Sequence, residues 1–83
     1  MQYDISLRRE EVYMAYPNLR AEIARFNYSI DEVAEAADVE PRTVQNWLAG
    51  RTSPNVAQCA AIRDGLFSFA TVDYLFATVP RPI

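Results

Sequence analysis

Apolar side chains recur three and four residues apart along most of the chain, a spacing typical of helices that bury one side and expose the other. Capping and turn residues divide this pattern into five segments. We therefore predict an all-α protein, a compact five-helix bundle. The predicted helices span residues 18–26, 30–37, 41–48, 54–66 and 71–77 of one domain over 17–79, with an N-terminal arm at 1–16 and a tail at 80–83.

Two short helices joined by a tight turn stand at the centre of the pattern. Ser29 precedes the first of them and Glu32 follows three residues later, so the two side chains can form a reciprocal capping box. Asp38 tolerates the left-handed backbone that ends a helix, and Pro41 suits the first position of the next one. Gly50 marks the end of the second helix. This arrangement is a helix-turn-helix unit, whose second helix can enter the major groove of DNA.

The second helix of this unit has an apolar side and a polar side. Val44, Trp47 and Leu48 recur at three and four, and for Trp47 packing in the core is favoured over stacking on a base. The opposite side and the flanks carry four polar residues that can reach the edges of bases. These are Arg42, Thr43, Gln45 and Asn46.

The outer helices supply the scaffold. The first is predicted to begin at Asn18 as its N-cap, and its apolar stripe consists of Leu19, Ile23 and Phe26. Ser53 followed by Pro54 predicts the start of the fourth helix. The expected buried residues of that helix are Val56, Cys59, Ala60, Ile62 and Leu66. Most of the aromatic side chains beyond it are expected in the core and some in a dimer patch: Phe67, Phe69, Tyr74 and Phe76.

Five segments follow one another in a characteristic order: Tyr16-Pro-Asn-Leu-Arg-Ala-Glu-Ile-Ala-Arg, Ser29-Ile-Asp-Glu-Val-Ala, Val39-Glu-Pro-Arg-Thr-Val-Gln-Asn-Trp-Leu-Ala-Gly-Arg, Ser53-Pro-Asn-Val and Val72-Asp-Tyr-Leu-Phe. This series resembles the lambda-repressor-like, Xre-type DNA-binding domains of phage and bacterial regulators. Members of that family often carry Gln in place of Ile30 and Gly in place of Asp38. The resemblance implies a lambda-repressor-like bundle and sequence-specific binding to double-stranded DNA by a repressor-like regulator of transcription, of phage or mobile-element type. We expect it to act as a homodimer on two half-sites about 34 Å apart.

Direct readout of DNA assigns a role to each polar residue of the second helix. Arg42 can donate to guanine O6 and N7, and Gln45 or Asn46 can pair with adenine N6 and N7. Thr43 can bind a phosphate or touch a thymine methyl group. Glu40 can accept from cytosine N4, although a capping role is favoured for it. The residues expected to contact the DNA backbone are Arg51, Thr52 and Arg20.

The charge balance opposes non-specific binding to nucleic acids. The chain has 11 acidic and 8 basic residues and a net charge of −3, whereas such binding depends on cations that neutralise phosphates. Five acids crowd one short stretch: Asp31, Glu32, Glu35, Asp38 and Glu40. The alternative function is therefore a protein-interaction adapter, such as an antirepressor or antitoxin-like module, that keeps the fold and binds a protein partner through its acidic face and aromatic end.

Catalytic and cofactor chemistry is not indicated by the sequence. Cys59 is the one cysteine, so an internal disulfide is excluded, and without any histidine the usual metal clusters are excluded as well. For Cys59 a packed thiol in the core is favoured over a reactive one. We find no nucleophile with a base and no phosphate-binding glycine loop. We predict no enzymatic activity, no cofactor, no metal and no small-molecule ligand. With no apolar run of membrane-spanning length and no signal peptide, we expect a cytoplasmic protein.

Within residues 1–16, three apolar side chains alternate with three polar ones: Tyr3, Ile5 and Leu7 with Asp4, Ser6 and Arg8. This is a short strand pattern, and a single strand is not stable alone. We expect an arm, or an edge that pairs with another copy of the chain.

Overall fold

The computed structural model describes residues 15–80 and contains five helices in that range. Their bounds are α1 Pro17–Arg25, α2 Ile30–Ala37, α3 Pro41–Leu48, α4 Val56–Leu66 and α5 Val72–Leu75. No strand occurs among the described residues, and none of their helices is long and apolar enough to cross a membrane. The predicted all-α class is confirmed. The predicted arm up to residue 14 and the last three residues of the tail lie outside the described range.

The central helices α2 and α3 span the ranges that the sequence predicts. Ser29 Oγ accepts from the N–H of Glu32 at 3.1 Å, and Glu32 Oε1 accepts from the N–H of Ser29 at 2.7 Å, which is the predicted capping box. Asp38 has a φ of 60°, and the N–H of Val39 donates to the carbonyl oxygen of Ala34 at 3.0 Å. The left-handed residue therefore ends α2, as predicted, and turns the chain toward the start of α3.

The start of α1 differs from the prediction. The helix begins at Pro17, and Tyr16 holds the N-cap position with a φ of 55° and without a capping hydrogen bond from its side chain. Proline suits the first position of a helix, so the helix starts one residue before the predicted cap and Asn18 lies inside its first turn. Its Nδ2 instead donates to the carbonyl oxygen of Tyr74 at 2.9 Å, which ties α1 to α5.

The start of α4 also differs, because a stronger cap lies just beyond the predicted one. Asn55 Oδ1 accepts from the N–H of Gln58 at 2.7 Å, and Gln58 Oε1 accepts from the N–H of Asn55 at 2.8 Å. This capping box starts the helix at Val56 and leaves Pro54 outside it. Val56, which we predict on the buried side, is 82% exposed. It lies in the first turn of α4, where residues 55–57 are all at the surface, and the helix meets the core only from Gln58 onward.

The last helix, α5, is shorter than the predicted range 71–77. Thr71 is its N-cap, and the Thr71 Oγ1 accepts from the N–H of Tyr74 at 3.0 Å. Phe76 leaves helical geometry with a φ of −106° and a ψ of 21°, so Leu75 is the last helical residue. The Phe76 ring nevertheless packs edge to face on Tyr16, with 5.5 Å between the ring centroids. This contact closes α5 over the start of α1.

The core joins the helix-turn-helix unit to the three outer helices. Its largest fully buried side chains are Phe67, Leu19, Ile62, Leu75, Val33 and Val44. Trp47 and Cys59 are 3% and 8% exposed, as predicted, and burial raises the pKa of the Cys59 thiol. A methyl group at Gly65 in α4 would lie 3.4 Å from the Cβ of Ala36 in α2. Small residues thus let α2 and α4 approach closely.

A buried carboxylate connects α1 with α5. Glu22 is 4% exposed; its Oε2 accepts from the Tyr74 hydroxyl at 2.7 Å and its Oε1 accepts from Arg25 Nε at 3.0 Å. The hydrogen bond to Glu22, assisted by desolvation, raises the pKa of Tyr74. The Arg25 guanidinium also lies over the rings of Phe26 and Phe69, at 5.2 and 5.8 Å from their centroids. Glu22 therefore receives the hydrogen bonds that a buried polar group requires.

Candidate nucleic-acid interface

Helix α3 turns its apolar side inward and its polar side outward. Val44, Trp47 and Leu48 are buried, with 0%, 3% and 8% of their surface exposed. The predicted base-reading residues occupy the rest of the helix surface. Arg42 and Gln45 are exposed, and Thr43 and Asn46 are half-buried at its edges. The residues of the described chain leave this polar side accessible to a ligand.

The amino end of α3 carries a negative charge. Glu40 holds the N-cap position with an extended backbone, but its side chain forms no capping hydrogen bond. Glu40 therefore occupies the favoured cap position without a bond from its side chain, and the N–H of Thr43 donates to its backbone carbonyl oxygen at 2.9 Å instead. The exposed carboxylate still complements the partial positive charge at this end of the helix.

The carboxyl end of α3 is closed by Gly50, which has a φ of 81°. The N–H of Gly50 donates to the carbonyl oxygen of Trp47 at 3.0 Å, and the N–H of Arg51 donates to that of Asn46 at 2.9 Å. These two bonds form a Schellman motif, which requires the left-handed residue that glycine provides. Arg51 is thereby carried back over the last turn, where its Nη1 donates to Asn46 Oδ1 at 3.2 Å.

Arg20, one of the predicted backbone contacts, lies at the same end of α3. Its Nη1 donates to the carbonyl oxygen of Leu48 at 3.5 Å, and the N–H of Ala15 donates to the same oxygen at 2.8 Å. A cation at the carboxyl end of a helix is favourable. Thr52 is exposed, and its N–H lies 3.5 Å from the carbonyl oxygen of Asn46. The fold thus gathers the three predicted backbone contacts around the end of α3.

The arginines near α3 are not neutralised by the acids of the described chain. Within residues 15–80, the ion pairs are Arg25 with Glu22 and Arg63 with Asp64. Arg20, Arg42 and Arg51 form none with carboxylates of that range. Phosphate oxygens can therefore serve as the counter-ions of these three guanidinium groups. Residues 15–80 also contain no group of three or more acidic or cysteine side chains placed to hold a metal ion.

The aromatic side chains divide between the core and the surface. Phe67 is fully buried, whereas Phe26 and Phe69 are 45% and 49% exposed, with 5.6 Å between their ring centroids. We predict Phe26 in the buried stripe of α1, and this is wrong. Phe26 is the residue after α1, and its ring packs on those of Phe67 and Phe69 at the edge of the core, which leaves nearly half of it exposed.

The spacing of apolar and polar residues does not indicate the pairing of Arg51 with Asn46. Both residues are assigned to DNA contacts by their chemistry, and five positions separate them. The signal that could have predicted their contact is Gly50, because a glycine that closes a Schellman motif bonds the next residue to the third-last residue of the helix.

A model of the helix-turn-helix family matches residues 19–67 of the 83-residue chain. The match includes most of α1 and the whole of α2, α3 and α4. No curated protein and no solved structure matches the chain significantly. The family consists of DNA-binding regulators and is not typically enzymatic. With its helix-turn-helix unit intact and more than half of its length matched, the chain belongs to the helix-turn-helix family of Xre and lambda-repressor type, a family of DNA-binding regulators.

Proposed function

We infer that this chain is a sequence-specific regulator of transcription that reads double-stranded DNA with α3 in the major groove. The observation that carries this proposal is the division of α3 into a fully buried apolar side and an accessible polar side. An α-helix with its side chains is about 10–12 Å across, and the major groove is about 12 Å wide, so α3 fits it.

In this proposal the exposed side of α3 reads base edges. Arg42 donates two hydrogen bonds to O6 and N7 of a guanine, and Gln45 pairs with N6 and N7 of an adenine. These residues stand three positions apart, so they lie on one side of the helix and can contact neighbouring base pairs. Thr43 at the edge of that side touches a thymine methyl group or a phosphate. Each bidentate contact discriminates against the wrong base by about 1–3 kcal/mol.

Arg20, Arg51 and Thr52 position the protein on the phosphate backbone. Their grouping at the carboxyl end of α3 supports this role, as does the lack of carboxylate partners for the two arginines within residues 15–80. Such contacts hold the helix in register without specifying sequence. Because the whole chain carries a net charge of −3, we expect weak binding to DNA that lacks the specific site.

We further propose that the protein is a repressor of phage or mobile-element type that acts in the cytoplasm as a homodimer. The repressor type rests on the resemblance to phage and bacterial regulators. A single copy of α3 contacts only a few base pairs, and two copies on half-sites about 34 Å apart would read a longer sequence. Binding to one isolated half-site as tightly as to the pair would contradict the dimer.

Selection from a pool of randomised duplexes at moderate salt tests the proposal. We expect enrichment of one sequence, with affinity that falls steeply as the salt concentration rises. A matched control is the double variant Arg42→Ala with Gln45→Ala, which alters only exposed side chains and should enrich no sequence. No enrichment by the folded wild-type protein would overturn the proposal.

One observation favours the adapter as the second candidate function. A depression of about 290 Å³ between α2 and α4 is lined by Glu32, Glu35, Ala36, Gly65 and Leu66. Two carboxylates stand beside an apolar floor, and this combination suits the stem and head of a lysine or arginine from a protein partner. An empty selection together with binding to a basic peptide that Glu35→Gln weakens would favour the adapter over the regulator.

A further inference from the structure

Two groups of Asn46 contact the residues that follow α3. Its backbone carbonyl oxygen accepts from the N–H of Arg51 at 2.9 Å and lies 3.5 Å from the N–H of Thr52. Its side-chain Oδ1 accepts from Arg51 Nη1 at 3.2 Å. Asn46 thus holds Arg51 both at the main chain and at the tip of the side chain.

Gly50 makes this double contact possible. With a φ of 81°, it reverses the chain so that Arg51 returns toward the last turn of α3. The arginine would otherwise have many accessible rotamers, because its side chain is long and the residue is exposed. The bond to Asn46 Oδ1 restricts those rotamers before any ligand is present.

The contact also changes what Asn46 can recognise. To read adenine, an asparagine accepts from N6 with Oδ1 and donates to N7 with Nδ2. In Asn46 the Oδ1 already accepts from a guanidinium, whose positive charge and bulk lie beside the atom that adenine N6 would have to approach. Asn46 is also half-buried, whereas Gln45 beside it is exposed.

We propose that Asn46 is a positioning residue that preorganises Arg51 for a phosphate of the DNA backbone, and that it does not read a base. This inference rests on the proposed function, because it assigns the work of one residue within the same DNA-binding surface. An arginine that is already ordered loses less side-chain freedom when it meets the phosphate. We expect this preorganisation to strengthen binding by roughly 2- to 12-fold.

A double-mutant cycle on DNA affinity tests the proposal. The proteins are the wild type, Asn46→Ala, Arg51→Ala and the double variant, each measured on the selected duplex and on a scrambled duplex at several salt concentrations. We expect Asn46→Ala to weaken both duplexes by the same factor, and to have no further effect once Arg51 is replaced. Gln45→Ala is the matched control, because its loss should appear only on the selected duplex. A change of base preference at one position by Asn46→Ala, additive with Arg51→Ala, would overturn the proposal.

A measurement on the free protein separates this inference from the proposed function. Nitrogen-15 relaxation of the arginine guanidinium groups should show a restricted Arg51 in the wild type and a mobile Arg51 in Asn46→Ala. The guanidinium of Arg42 is the internal control and should not change, and the melting temperatures should agree closely. Equal mobility of Arg51 in the two proteins would refute the positioning role, even if both bind DNA. If the wild type binds no duplex, the proposed function fails, and the relaxation comparison still decides whether Asn46 restrains Arg51 in the free protein.

Discussion

Replacement by alanine should have opposite effects on stability at the two glycines of the chain, Gly50 and Gly65. Gly50 has a φ of 81°, a left-handed conformation that costs a residue with a Cβ about 1–2 kcal/mol. Gly65 lies within α4, where alanine is the better helix former by about 0.5–1 kcal/mol. A methyl group there would lie 3.4 Å from the Cβ of Ala36, which is an ordinary van der Waals contact. Alanine should therefore be unfavourable at the first position and favourable at the second.

We expect Gly50→Ala to lower the free energy of unfolding by about 1 kcal/mol, because the smaller entropy of the unfolded alanine chain offsets part of the backbone cost. Gly65→Ala should raise the free energy of unfolding by about 0.5 kcal/mol, the lower end of the range, because the residue is in the last turn of α4. In a domain of this size each 1 kcal/mol shifts the melting temperature by about 4–8 °C. The melting temperature of Gly50→Ala should therefore lie below that of the wild type, and that of Gly65→Ala above it.

Urea unfolding followed by the fluorescence of Trp47, the one tryptophan, measures both changes. A Gly50→Ala variant as stable as the wild type would refute the left-handed end of α3, and with it the placement of Arg51 over Asn46. A destabilised Gly65→Ala variant would show that α2 and α4 pack too closely at Ala36 to admit a methyl group.

Four other residues give predictions about stability and reactivity. Ser29→Ala should lower the free energy of unfolding by about 1 kcal/mol in the same urea assay, because the N–H of Glu32 loses its acceptor. Ser29→Thr keeps a hydroxyl and should retain most of this stability. Trp47→Ala should cost about 3–5 kcal/mol, since the side chain is 3% exposed, and an unchanged melting temperature would contradict its place in the core. The pKa of Tyr74 is raised in the native state, so the stability that Tyr74 contributes should be complete below the ordinary pKa of 10.0 and should be lost as the pH rises through the native pKa. Melting temperatures recorded against pH should show this alkaline loss in the wild type and a smaller one in Tyr74→Phe. Cys59 is buried and its pKa is raised, so its thiol should react slowly with a disulfide reagent until urea unfolds the protein, and equal rates in the two states would show that it is accessible.

The helix-turn-helix unit could be predicted because its signals are local. The capping box of Ser29 and Glu32 and the left-handed Asp38 depend on residues within a few positions of one another, and the structure contains both. The inward direction of Trp47 follows from its spacing with Val44 in a short helix. Local chemistry and helical spacing determine these features, so they can be inferred before any tertiary contact is known.

The predictions that failed involve competing signals or contacts between distant elements. Pro54 and Asn55 each mark a helix start, and the capping box of Asn55 with Gln58 decides between them. Asn18 has the chemistry of a cap, yet it donates to Tyr74, 56 residues away, and no local pattern indicates that partner. The contact of Arg51 with Asn46 lies between the local and the distant cases. The two residues are close in the chain, but they meet only because of the backbone angle of Gly50.

The most direct test of the account is the affinity of the wild type and of Gln45→Ala for the selected duplex and for a scrambled duplex of equal length. Gln45 is exposed on the polar side of α3, so its replacement leaves the core intact. We predict that Gln45→Ala loses between about 5- and 150-fold in affinity for the selected duplex and almost nothing for the scrambled one. Equal losses on both duplexes, or no loss on either, would contradict the claim that this side of α3 reads the sequence of DNA.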